Sequence, residues 1–455
     1  MKSKIAVLFI ALLLIGSRCS KNEGENVEVT FTCDQCDYIV SGYKTDGVEL
    51  EIKAGQVICL DASVAYEKVL FTNINGTADK PIIIRNCGGI AKISSPKDFG
   101  IKFEDSKNFK LLGDGTGGAY GIRVTTRGGF FISMEHFTTD FEIAQVEVAG
   151  PNGRGLGDDA GFAGMGIKTS PYQDCNLFKD ASRTAWVMRN ISIHNNWVHD
   201  TGGEGLYIGH GFYIGRKEAE CPDVTYSHSI KGIRVYDNLI EATGYDGIQV
   251  KNTDSDCQIY NNVIRNFGNR GENGQNEGLF LGEGVTGKVY NNFIDRGTGN
   301  GIKFQAMGNN DIFNNVILNA GRDGINCSGS QYGVYIPNGY FKFFNNTIYN
   351  SAEKGFAFYN NDGGVKMIMN NLIVKADELF PKGATIEESN NIMTNDIGSI
   401  KFADPGRSNL ILNSGSPCIN TGIDVRIFNP GLTFDIRNEA RPKGAAFDVG
   451  AYEIE

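Results

Sequence analysis

The sequence predicts an all-β solenoid of stacked coils, and three observations predict it. The first is a phrase of two short alternating strands joined at an Asn corner. It returns at His194-Asn-Asn-Trp197, Tyr236-Asp-Asn-Leu239, Tyr260-Asn-Asn-Val263, Tyr290-Asn-Asn-Phe293, Phe313-Asn-Asn-Val316, Phe344-Asn-Asn-Thr347 and Met369-Asn-Asn-Leu372. The second is a Gly-Φ-x-Φ strand that follows most corners, as in Gly205-Leu-Tyr-Ile208, Gly247-Ile-Gln-Val250, Gly278-Leu-Phe-Leu281 and Gly301-Ile-Lys-Phe304. The third is composition: with 59 Gly and 11 Pro the chain can turn many tight corners while its strands stay free to pair on both edges. Alternation within each strand sends one set of side chains inward. A single coil cannot bury that face, so successive coils must stack, at roughly 4.8 Å each.

The elements follow in order. Lys2 and Lys4 precede an apolar run, Ile5 to Ile15, and then Cys19. A basic start and a short apolar segment form an export signal, too short for a permanent span. The cysteine at its end resembles a bacterial lipoprotein signal, which implies a lipid anchor on Cys19 at the outer membrane or cell surface. Arg18 stands where such signals carry a small residue, and an ordinary cleavable signal is the alternative. Residues 20–26 form a polar tether, 27–395 the solenoid and 396–455 a closing segment. The second Asn of each corner (Asn196, Asn238, Asn262, Asn292, Asn315, Asn346, Asn371) falls at one register, which predicts a ladder of amides. Cys257 and Cys327 align with inward positions and are expected in the core. Cys33 and Cys36 lack the second pair that a zinc site needs. Cys175 and Cys221 sit in long insertions, where an exported chain permits a disulfide. Two loops, 149–164 and 209–229, break the rhythm, as does a shorter polar one at 266–276.

These repeats resemble the right-handed parallel β-helix family, the architecture of pectate lyases and related polysaccharide enzymes. The closing stretch, Asn413-Ser-Gly-Ser-Pro-Cys418 with Asp435 to Glu453, resembles the final segment of secreted bacterial β-helices. The resemblance implies a cap over the last coil, with Arg441, Asp448 and Glu453 structural. It implies a fold more strongly than a chemistry.

Outward positions of the Gly-Φ-x-Φ strands form a row: Lys102, Arg123, Lys168, Tyr207, Gln249, Phe280, Lys303 and Asn326. The residues before the glycines form a second: Met165, Glu204, Asp246, Glu277, Asn300, Asp323 and Lys354. Both rows are expected along one edge, as a groove fitted to an extended polymer. Lys168, Glu204, Tyr207, Asp246 and His210 are the candidate catalytic residues, because two long loops flank them. Lys102, Arg123, Gln249, Phe280, Lys303 and Asp323 are the candidate substrate-binding residues. His199 and Glu204 form a candidate acid–base pair. The carboxylates also suit a hard cation such as Ca²⁺.

A net charge of −10 argues against non-specific nucleic-acid binding. No HExxH, phosphate-binding loop or nucleophile elbow is present. The expected function is that of an exported, monomeric polysaccharide lyase acting on a uronate polymer. A lyase needs a cation for the carboxylate, a base for the C5 proton and an acid. A glycoside hydrolase using two carboxylates, and a non-catalytic carbohydrate-binding protein, are the alternatives.

Overall fold

The computed structural model describes residues 30–151, 157, 159–218, 221–328, 335–359, 364–378 and 386–454. The export signal, Cys19 and the tether lie outside them. Among the described residues the chain winds through three long parallel sheets of 13, 11 and 11 strands. Sheet one runs from Tyr38–Ile39 to Ile386–Ser389 and carries the strand before each Asn corner. Sheet two, from Ala91–Ser95 to Ile392–Thr394, carries the strand after it. Sheet three, from Lys44–Asp46 to Phe356–Phe358, carries the Gly-Φ-x-Φ strand. Each strand pairs with its counterpart in the next coil, so identical positions stack. This is the parallel β-helix that the repeats predict.

Inside, Ile193, Val235, Ile259, Val289, Ile312 and Phe343 form one continuous column and are fully buried. Each contributes about 1.5–3 kcal/mol by leaving water. Cys257 and Cys327 are buried in the same core. The corner is built from backbone needs. Its first residue takes the left-handed conformation (Asn195 φ 54°, Asp237 φ 53°, Asn261 φ 56°), which Asn and Asp tolerate best. Its second residue forms the ladder. Asn292 Nδ2 donates to Asn315 Oδ1 (3.0 Å) and to the Ile259 carbonyl (2.9 Å), while its own Oδ1 accepts from Asn262 Nδ2 (3.0 Å). The same pattern runs from Asn196 to Asn391, one coil beyond the seven corners read from the sequence. The glycines of sheet three have an equally local cause. A Cβ on Gly205 would lie 2.5 Å from the Gly247 carbonyl oxygen, and one on Gly247 would lie 2.5 Å from that of Gly278.

Both ends are secured. At the start, Cys33–Cys87 and Cys36–Cys59 staple a short turn to two successive strands of sheet one. At the finish, residues 397–454 fold over the last coils, with Arg441 fully buried against Glu453 (2.9 Å) and donating to Asn314 Oδ1 (3.1 Å). That is the structural role expected for Arg441 and Glu453. Asp448 belongs to the same network, accepting from the Asn420 and Ile454 amides.

Candidate active site

The outer face of sheet three presents the row that positions the site. Strand register stacks Lys102, Ser133, Gly166, Tyr207, Gln249, Phe280, Lys303 and Asn326 one above another. Tyr207, Gln249, Phe280, Lys303 and Lys102 therefore share the row predicted for them. Two members differ. Arg123 lies on sheet two, paired in register with Glu147 and bonded to it (Nε to Oε2 2.7 Å), so it does not line this face. Gly121-Ile-Arg-Val124 copies the Gly-Φ-x-Φ phrase, but its strand follows a corner. Lys168 stands one outward position further along than expected, because Gly164, not Gly166, is the column glycine of its coil. Gly166 takes the row position instead, and a Cβ there would meet the Phe130 ring at 2.7 Å.

Lys168 shares its new row with Glu104, Glu135 and Lys251. Its ammonium lies 4.4 Å from the Tyr207 ring centroid and 5.5 Å from that of Phe130. Among the described residues it forms no ion pair, and burial lowers its pKa against the pull of Glu135 and Glu204. Lys251 sits over the Phe280 ring (5.4 Å) and likewise forms no ion pair among the described residues. Lys303 is different, held by Glu277 Oε1 at 2.9 Å.

The acidic row does not line an open groove edge as expected. Glu204, Asp246, Glu277 and Asp323 are at most 2 % exposed. Three of these residues, together with Asn300, form a second ladder, each side chain accepting from the backbone of the next coil. Asp246 Oδ1 accepts from Glu277 N (2.7 Å), Glu277 Oε2 from Asn300 N (2.8 Å), Asn300 Oδ1 from Asp323 N (3.1 Å) and Asp323 Oδ1 from Lys354 N (3.1 Å). Asp323 also accepts from Asn326 Nδ2 and the Tyr359 hydroxyl, so its oxygens are committed within the fold and it is not a substrate contact. Glu204 is outside this chain of bonds, and its Oε2 and Asp246 Oδ2 are buried without hydrogen-bond partners. Burial raises the pKa of both; Asp246 is pushed well up, with Glu204 and Glu277 adding to the effect. Burial and the Glu204 charge raise the Tyr207 phenol too.

The carboxylates do not form a cage for a hard cation. Glu277 is already held by Lys303 and Asn300, and among the described residues Glu204, Asp246 and Glu277 do not bring oxygens close enough together to share one ion. A separate group, Glu104, Glu135 and His136, is close enough to share an ion, but Lys102 Nζ lies 3.8 and 3.6 Å from those two carboxylates and supplies the positive charge itself.

His210 follows sheet three directly. Burial, Lys168 and His228 lower its pKa to about 3, so its ring is neutral. Its Nε2 lies 3.4 Å from Ser170 Oγ, and its Nδ1 is buried without a partner. His199, by contrast, is on sheet two with Asp200 (2.6 Å) and Glu147 (3.4 Å); it does not pair with Glu204.

Both edges of the face are walled. Phe130, Phe162 and Tyr245 form an aromatic edge-to-face series, with centroids 5.5 Å apart between Phe130 and Phe162 and 6.3 Å between Phe162 and Tyr245. Opposite, loop 168–186, which the repeat pattern does not single out, joins loop 209–228. The Cys175–Cys221 disulfide links them, Tyr172 Oη donates to the Thr225 carbonyl (3.0 Å), and Ser182 bridges Ser227. Under this wall His228 Nε2 accepts from the backbone N–H of Thr169 (3.0 Å), the residue after Lys168. Lys251, His228 and the three wall aromatics carry no periodic signal; only their proximity in space marks them.

Residues 224–396 match the family described as "Right handed beta helix region". Among curated proteins, none matches the sequence. Among solved structures, the pectate lyase Pel9A aligns over 92 % of this chain and 97 % of its own, at 16 % identity and a TM-score of 0.48. An alginate lyase from Paenibacillus sp. str. FPU-7 aligns over 72 % of this chain and 97 % of its own, at 13 % identity and 0.39. A GH136 lacto-N-biosidase from Eubacterium ramulus aligns over 78 % and 67 %, at 12 % identity and 0.37.

Proposed function

From a β-helix with one walled outer face, we propose that this protein binds an acidic polysaccharide along sheet three and cleaves it by β-elimination beside a uronate. The observation that carries the reading is the pair of ammoniums, Lys168 and Lys251, that form no ion pair among the described residues, next to the buried neutral imidazole of His210. The lysines hold uronate carboxylates and draw charge from the carbanion that forms at C5. The His210 ring accepts the C5 proton; the bound carboxylate raises its basicity by neutralising the nearby cations. The C4–O bond breaks, its electrons leave with the oxygen, and the C5 electron pair becomes the C4–C5 double bond. Tyr207, held protonated, returns a proton to the leaving oxygen. Glu204 and Asp246 lie buried behind the face, where burial raises the pKa of both. A hydrolase would need one of that pair ionised as base or nucleophile, which their burial opposes.

The Cys175–Cys221 bridge and the two N-terminal disulfides support an exported protein, with Cys19 as its lipid anchor. The test is turnover of uronate polymers followed by ultraviolet absorbance of the unsaturated product. Lys168→Ala and Tyr207→Phe should each lower turnover at least about a hundredfold with little loss of thermal stability. New reducing ends without absorbance mean hydrolysis, and binding without either means a lectin-like role. The wild-type rate should also fall on the alkaline side below the ordinary lysine value of 10.5, as Lys168 loses its charge early. A rate that climbs through that range would make Lys168 the base instead.

A further inference from the structure

We infer that the groove selects a polysaccharide with an alternating repeat, one acidic sugar and one neutral sugar, rather than an unbroken run of uronates. The inference rests on the polysaccharide reading above and concerns the spacing of charge within it. Sheet three advances roughly 4.8 Å per coil, close to the advance of one pyranose in an extended chain. One sugar therefore spans one coil.

The cations of the face follow a period of two coils. Lys102, Lys168, Lys251 and Lys303 lie on alternate coils, while the coils between them present Ser133, Tyr207 and Phe280. Rings prop these ammoniums in place: Lys168 over Phe130 and Tyr207, Lys251 and Lys303 over Phe280 at 5.4 Å each. The outer two already have counter-ions, Glu135 at 3.6 Å from Lys102 and Glu277 at 2.9 Å from Lys303. The inner two have none among the described residues. Their strand positions lie two coils apart, about 10 Å along the axis, which is the advance of one disaccharide.

The coil between them supplies no cation for a third negative charge. It carries Tyr207 on its face and Glu204 in its turn, and Asp246 follows one coil on. Both carboxyls are buried behind that face, and among the described residues one oxygen of each lacks a partner. A carboxylate on the intervening sugar would be desolvated against the Tyr207 ring without a cation of that coil's own. A neutral sugar stacks on the ring and leaves no charge uncompensated.

The experiment is equilibrium binding of the full exported chain, by calorimetry at fixed ionic strength, to three hexasaccharides of equal length: alternating uronate and neutral hexosamine, all-uronate, and neutral. His210→Ala protein removes turnover if it occurs. The alternating chain should bind at least about tenfold more tightly than the all-uronate chain, the scale of adding or opposing one charged interaction. Lys251→Met, which keeps the packed stem, should remove most of that preference and leave the neutral chain unaffected. Equal or tighter binding of the all-uronate chain overturns the spacing inference while the polysaccharide reading stands. If no acidic hexasaccharide binds, both fall.

Discussion

His228 shows how far a single side chain can reach in this fold. It is fully buried, and burial lowers its pKa from 6.5 to about 4. The ring is neutral, with Nε2 accepting from Thr169 N and Nδ1–H donating to the Ser229 carbonyl (3.2 Å). The unfolded chain takes up this proton near 6.5, the native protein only near 4, so stability is present above 6.5 and lost as pH falls to 4. The loss amounts to roughly 3 kcal/mol. His228→Gln should flatten that part of the profile in denaturant melts taken from pH 7 to 4. Because Thr169 follows Lys168, the same substitution should weaken substrate binding at neutral pH, where no protonation is involved. An unchanged acid limb would show that another group governs it.

The elements repeat one solution, and its energetic weight lies in the corners. Asn292 fills one rung of the ladder through its amide and its backbone N–H. Asn292→Leu leaves the Ile259 carbonyl and the amides of Asn262 and Asn315 short of partners in a dry interior. Chemical denaturation should show a loss of about 1–3 kcal/mol. A change within error would mean that the backbone pairing holds the corner unaided. The ladder and the glycine column are readable from the sequence because backbone geometry imposes them on every coil. What lies between is not. Sheets two and three share the same alternation, so Arg123 has the pattern of a groove residue while belonging to the other strand. Gly164 and Gly166 both precede apolar residues, and period 2 hides a shift of two, so the sequence points Lys168 outward but puts it in the wrong row. The acidic row reads as a groove edge because a turn ladder of Asp246, Glu277, Asn300 and Asp323 has the composition of an exposed line of ligands. Lys251, His228 and the aromatic wall come from turns and insertions, where no period exists to expose them.

At the scale of the whole molecule, the fold is a ruler with a built-in unit, and the candidate site is where two insertions rise beside it. Its architecture is legible because each coil solves the same burial problem. Its chemistry is only partly so, because the deciding features are relations between coils: which lysine lacks a counter-ion, which carboxyl lacks a donor. The stack also has the mechanics of a zipper. Each coil holds only its neighbours, so a parting should start at an open tooth and run. The first teeth are pinned by Cys33–Cys87 and Cys36–Cys59, and the last are stitched under Arg441 and Glu453. With both ends clamped, a tear has to nucleate mid-length, and the insertions at 168–186 and 209–228 interrupt the run of coils there. Hydrogen exchange should find the earliest sub-global opening at Val187–His194 and Ser229–Tyr236, the strands entered from those loops. Opening that begins at Tyr38–Ile39 or Ile392–Thr394 would show the clamps to be slack. A chain that frays at the tips can lose a coil and keep its groove. One clamped at both tips comes apart first in its middle coils, so wear falls on the stretch that carries the candidate site.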